Sequence, residues 1–148
     1  MDKPKIVFIV PSYNIEKNIS TLIKSIKEQD YDNWSCVIID DISSDDTWNV
    51  LHKTLENDKS FSIIRNAEKK YALKNIIESA RKFENDEDVI IAVIDGDDSL
   101  CNSRAASILA DAYKRGNEVV WTAHRWDTNG MNISGTVPNE VNPYFWTW

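Results

Sequence analysis

Hydrophobic positions along this chain follow two different periods. Short runs of mostly β-branched residues read as strands over Lys5–Val10, Cys36–Ile39, Phe61–Ile64 and Val89–Ile94. The last of these is apolar throughout, as suits a strand buried on both faces. Pro11 is expected to end the first strand. Between the strands, apolar residues recur at helical spacing. Ile19, Leu22, Ile23 and Ile26 mark a first helix, and residues 46–57 a second, with Ser44 or Asp45 as its N-cap. Leu73, Ile76, Ile77 and Ala80 mark a third helix. Ala105, Ile108, Leu109 and Ala112 mark a fourth, closed by Gly116. A fifth strand is expected over Glu118–Trp126.

Alternating strands and helices joined by short connections call for an α/β fold, a mostly parallel sheet with helices on both faces. Nothing repeats internally and no linker interrupts the pattern, so residues 1–126 read as one domain. From Asp127 onward the pattern breaks at Asn129-Gly130, Gly135, Pro138 and Pro143. Four of the six tryptophans fall at or after Trp121, and the last seven residues are too aromatic to hang in water. Residues 127–148 therefore read as an irregular tail. It packs back on the domain, meets a partner such as a second copy of the chain, or begins a further half cut short here.

Composition narrows the classes. A chain of 148 residues can bury a real core. A formal charge of -7 and a pI near 4.8 argue against binding nucleic acid. The longest apolar run is far too short to span a bilayer. The N-terminus leads straight into a strand, so no secretory signal is expected and the cytoplasm is the expected location. Cys36 and Cys101 form no spaced motif and read as free thiols in a reducing compartment.

In an open parallel sheet, ligands bind at the carboxyl ends of the strands. The chemically able residues collect there. Pro11-Ser12-Tyr13-Asn14 follows the first strand, Asp40-Asp41-Ile42-Ser43-Ser44-Asp45-Asp46 the second, Arg65-Asn66 the third and Asp95-Gly96-Asp97-Asp98 the fourth. Several aspartates at one edge repel unless a positive charge sits among them, and a hard divalent cation with oxygen ligands is the usual answer. Asp95 and Asp97 flank a glycine that permits a tight bend. An EF-hand from Asp95 fails, because Leu100 and Ala106 stand where Gly and Glu belong. Each piece also has an ordinary structural reading, since Asp-Gly and Asp-Asp form turns and Ser44, Asp45 and Asp46 cap helices. His52 reads as a surface residue, and His124 falls in the expected fifth strand. No dinucleotide fingerprint, P-loop or nucleophile elbow is present.

Val10-Pro-Ser-Tyr-Asn14, Val37-Ile-Ile-Asp-Asp-Ile-Ser-Ser-Asp-Asp-Thr47 and Val93-Ile-Asp-Gly-Asp-Asp98 together resemble family 2 glycosyltransferases of the Rossmann-like GT-A fold. Tyr71-Ala-Leu-Lys-Asn75 resembles that family's A-A-R-N segment, with Lys74 in place of Arg. The likeness covers about residues 5–126. It implies that Pro11 and Tyr13 line a nucleotide base pocket and that Asp41 bonds the base, usually uracil, with Asp40 beside it. It places Arg65 and Asn66 near the base or ribose, and Asp95 near the ribose and the metal. It makes Asp97 a ligand of the Mn2+ or Mg2+ that bridges the diphosphate, and Asp98 a companion acid behind the ligands.

The implied reaction is an inverting displacement, in which an acceptor hydroxyl attacks the anomeric carbon of a nucleotide sugar, usually a UDP-sugar. The family's general base lies downstream, and neither Asp127 nor Glu140 matches its pattern. The chain is thus expected to stop after the fifth strand, where the acceptor half begins. Two rivals stand beside this reading. One is a nucleotide-binding or assembly module without transferase activity. The other is a sugar-nucleotide nucleotidyltransferase, which would want a glycine-rich turn after the first strand.

Overall fold

The computed structural model describes residues 3–120. Four strands form one parallel sheet in the order β3-β2-β1-β4, with β1 Lys5–Ser12, β2 Trp34–Asp40, β3 Phe61–Arg65 and β4 Val89–Val93. Phe8 stands opposite Cys36 on one side and Ala92 on the other, and Cys36 stands opposite Phe61. The helices are α1 Ile19–Lys27, α2 Thr47–Leu55, α3 Tyr71–Ala80 and α4 Ala105–Lys114.

Strand order explains which face each helix covers. From β1 to β3 the chain steps one way across the sheet, then returns past β1 to β4. Right-handed crossovers therefore place α1 and α2 on one face and α3 on the other. The core follows suit. Ile19, Leu22, Ile23 and Ile26 of α1, Leu51 and Leu55 of α2, and Ala106 and Ala110 of α4 pack with Ile6, Phe8 and Val10. On the opposite face, Ile76, Ala80 and Phe83 pack on Val7, Ile9 and Ile39. Alternate residues of β1 thus feed opposite faces of the sheet, and from Ile6 onward the whole strand is buried.

Several expected boundaries shift. Pro11 lies inside β1, not past it. Its missing N–H costs little, because it falls on the β4 side, two residues beyond the last pair, Ile9 with Val93. Thr47, not residue 46, opens α2, and Asp46 holds the N-cap position. Asp45 still serves the helix start, its Oδ1 accepting from the Thr47 N–H at 3.0 Å. The inward faces of α3 and α4 also depart from the apolar period. Leu73, Ile77 and Ile108 are exposed, while Asn75 and Ser79 of α3 and the small Ala106 and Ala110 of α4 turn inward. Gly116 closes α4 as expected, at φ +86 with its N–H on the Tyr113 carbonyl.

Residues 118–120 carry no strand, and the rest of the expected fifth strand, His124 and the tryptophan-rich tail lie outside the described residues. The described residues up to Gly116 form one compact unit. No described helix is long and apolar enough to cross a membrane.

Candidate functional site

The reversal of strand order falls between β1 and β4, which is where an open α/β sheet leaves a crevice at its carboxyl edge. A cavity of about 420 Å3 lies there, and Tyr13, Asp41, Lys69, Asn75, Asp95 and Asp97 all line it. A groove of similar size runs between α1 and α2, lined by Ile19, Ile23 and Val50 with the stems of Lys24 and Lys27. It gathers no converging chemistry, so the crevice is the candidate site.

The four loops at this edge are stitched together by their own polar groups. Ser12 donates its hydroxyl to the Ile39 carbonyl at 3.0 Å. Asn14 Oδ1 accepts from the Ser44 N–H at 2.8 Å, and the Ile15 N–H donates to Thr47 Oγ1 at 2.9 Å. Beyond the strand ends the ladder continues, with the Asp41 N–H on Ser12 and the Asn66 N–H on Asp40. Three residues here, Asn14, Ile42 and Tyr71, take left-handed φ values of 54, 61 and 64. For Asn that is ordinary, but for a β-branched or aromatic residue it is strained.

The two adjacent aspartates of β2 part company. Asp40 is wholly buried and does not line the cavity. Its Oδ1 accepts from the Ser43 hydroxyl and, at 3.2 Å, from the Ser43 N–H. Arg65 Nε stands 3.2 Å from Asp40 Oδ2, close enough for an ion pair but off the angle of a hydrogen bond. The same guanidinium lies 5.6 Å from the centre of the Trp48 ring. Asp40 and Arg65 thus brace the β2 loop at the margin of the crevice.

Asp41 faces the cavity, though only 3% exposed. Its Oδ1 accepts from Asn66 Nδ2 at 2.6 Å and the Lys70 N–H at 2.9 Å, and its Oδ2 accepts from the Tyr71 N–H at 2.8 Å. Burial pushes its pKa up, but these donors and the nearby Asn75 amide outweigh burial and hold the carboxyl below its ordinary value. The Asn75 amide nitrogen favours the charge without reaching hydrogen-bond geometry. Asn66 uses its second N–H on Asn75 Oδ1 at 2.8 Å. This network explains why α3 turns a polar residue inward.

Asp95 and Asp97 flank Gly96 on the opposite wall. The Gly96 N–H donates to the Pro11 carbonyl at 3.2 Å. A Cβ on Gly96 would stand 3.0 Å from Ser12 Cβ and 3.1 Å from Ile15 Cγ2 and the Pro11 carbonyl oxygen, so any larger residue would press this loop away from β1 by a few tenths of an ångström. The Asp97 carbonyl accepts from Asn18 Nδ2 at 3.2 Å, and the Asp98 N–H donates to the Asp95 carbonyl. Asp98 is exposed and does not line the cavity.

No cluster of three acids, histidines or cysteines able to hold a metal occurs among the described residues. Two exposed carboxylates fit a hard cation of another kind, one that takes the rest of its oxygen shell from phosphate and water. Mg2+ and Mn2+ suit such an oxygen donor set, to which Asp95 and Asp97 would contribute the two carboxylates.

Sequence reasoning missed Lys69, which lines the cavity with its Nζ 2.9 Å from the centre of the Tyr13 ring. A lysine in a polar loop carries no signal of its own. Asn75 carried one, through its place in the Tyr71–Asn75 segment.

Comparison with known proteins extends these observations. Residues 7–144 match the family model described as Glycosyl transferase family 2. Over 101 residues the chain is 38% identical to UDP-Glc:alpha-D-GlcNAc-diphosphoundecaprenol beta-1,3-glucosyltransferase WfgD of Escherichia coli. That match covers 62% of this chain and 38% of the relative, so the chain spans well under half of that protein's length. Among solved structures, S. aureus TarS in complex with UDP superposes with a TM-score of 0.62 at 23% identity, over 75% of this chain and 32% of that one. The mannosyltransferase PcManGT from Pyrobaculum calidifontis, in complex with GDP-Man and Mn2+, gives 0.61 at 24%, over 76% and 32%. At such identities the likeness is one of fold, the GT-A arrangement.

Proposed function

The chain belongs to glycosyl transferase family 2, and on that premise we propose that its crevice binds the nucleotide diphosphate of a sugar donor for transfer to an acceptor hydroxyl. One observation carries the reading. Three carboxylates, Asp41, Asp95 and Asp97, and the ring of Tyr13 surround a single cavity at the switch point of the sheet.

In this reading Tyr13 and Pro11 form an apolar wall for the base, and Asp41 accepts from a base N–H. Asp41 suits that task because its charge is held by Asn66, Lys70 and Tyr71, which leaves it an acceptor at neutral pH. Asn66 orients Asp41, and Asp40 with Arg65 fixes the loop that presents it. Asp95 and Asp97 would hold Mn2+ or Mg2+. Such a cation, when bound, supplies positive charge against the departing diphosphate. Asp98 supports the loop that carries the two ligands. A UDP-sugar is the proposed donor, supported by the donor in the name of the Escherichia coli relative and by the UDP bound to TarS. The reaction is an inverting displacement at the anomeric carbon, and the general base is assigned to none of the described residues.

Calorimetry of UDP binding with and without Mn2+ tests this. Binding should depend on the cation, and Asp97→Asn should remove most of that dependence. Equal, metal-dependent binding by the variant would sink the role given to Asp97. Donor hydrolysis or sugar transfer by the chain then separates an enzyme from a nucleotide-binding module.

A further inference from the structure

Lys69 is the one cation among the described residues that line the crevice, and it shares that lining with three carboxylates. It nevertheless forms no ion pair within 4.0 Å among the described residues. Its ammonium rests on an aromatic face instead, 2.9 Å from the Tyr13 ring centre and 6.0 Å from that of Tyr71. Both rings are well exposed, Tyr13 at 50% and Tyr71 at 71%.

We propose that Lys69 makes the site prefer nucleotides to nucleosides, by holding the Tyr13 face against a base that brings no phosphate. The inference rests on the nucleotide reading given above. A base stacked on a ring needs the layer of space just above it, roughly 3.5 Å from the ring plane, as for any pair of carbon atoms in contact. At 2.9 Å the ammonium fills that layer. For a base to stack on this face, Lys69 must move off and lose its cation–π contact. A nucleoside offers the displaced ammonium nothing in return. A nucleoside diphosphate offers phosphate oxygens, the natural partner of a compact ammonium on a flexible stem. One side chain thus penalises the nucleoside and is compensated by the nucleotide.

The test uses uridine and UDP as probes, without added metal, on the full chain and on Lys69→Ala and Lys69→Met. Lys69 is exposed, so both variants should fold, which circular dichroism checks. A cation–π contact at an exposed site is worth about 0.5–1 kcal/mol. Its removal should therefore tighten uridine binding by about two- to fivefold in Lys69→Ala, while UDP binding stays level or weakens. The Lys69 Hε protons should also show an upfield ring-current shift that uridine abolishes. Unchanged or weaker uridine binding in Lys69→Ala would overturn the proposal. So would a gain for UDP as large as that for uridine. If the wild-type chain binds neither probe, with or without Mn2+, the nucleotide reading itself fails and this inference falls with it.

Discussion

Asp41 shows what one residue does at two levels. Its carboxylate closes the turn before α3 by accepting three hydrogen bonds, two of them from the Lys70 and Tyr71 backbone. Hydrogen bonds to a charged group contribute about 1.5–3 kcal/mol. Asp41→Asn places an amide N–H against N–H donors, and should destabilise the domain by about 2 kcal/mol at pH 7, read by urea unfolding. The folded carboxyl titrates below its ordinary value of about 3.9. Its contribution is therefore full above about pH 4 and disappears as pH falls through the lower, folded value. The difference between wild type and variant should shrink on acidification, and a gap unchanged well below pH 4 would refute the charged role. At this scale the sequence reveals residue types better than their orientation. Asp40 and Asp41 are adjacent and look alike in a string of letters. Asp40 ends β2 and turns to Arg65, while Asp41 opens the following loop and turns to the crevice.

At the scale of elements, the helical period located all four helices but misjudged the inward faces of two. In α1, Ile19, Leu22, Ile23 and Ile26 are all buried, as their spacing demands. In α3 the same logic points to Leu73, which is 68% exposed. There the Asp41–Asn66–Asn75 network takes the inward position, and a polar contact outweighs the apolar stripe. Leu22→Ala and Leu73→Ala should therefore differ sharply. The first should cost about 2–5 kcal/mol and the second within about 0.5 kcal/mol, both by chemical denaturation. Gly96→Ala tests the β4 loop. Its new methyl would press on Ser12 and Ile15 at 3.0–3.1 Å, and overpacking of this kind costs about 1–3 kcal/mol. A melting temperature equal to wild type would show that the loop does not need to lie so close to β1.

For the whole molecule, the alternation of strands and helices gives the fold class, and the crossover rule gives the face that each helix covers only once the strand order is known. Strand order is a different matter, because nothing in a linear pattern says that β4 returns beside β1. That return creates the crevice, so the site was legible as four acid- and amide-bearing loops but its geometry was not. If the crevice binds UDP with a divalent cation, the two together should raise the melting temperature. Each hundredfold excess over Kd adds about 2.7 kcal/mol, and a chelator should reverse most of the gain. The left-handed residues have a further consequence at this scale. Ile42 and Tyr71 store strain of about 1–3 kcal/mol each, and both lie at the carboxyl end of the sheet. The centre of β1 carries none and is fully buried. Cooperative opening should therefore begin at the crevice, and the amides of residues 41–43 and 70–71 should exchange with deuterium before those of Val7–Ile9. A ligand bound at the crevice should therefore register as slowed exchange of those loop amides, with little change in the already protected centre of β1.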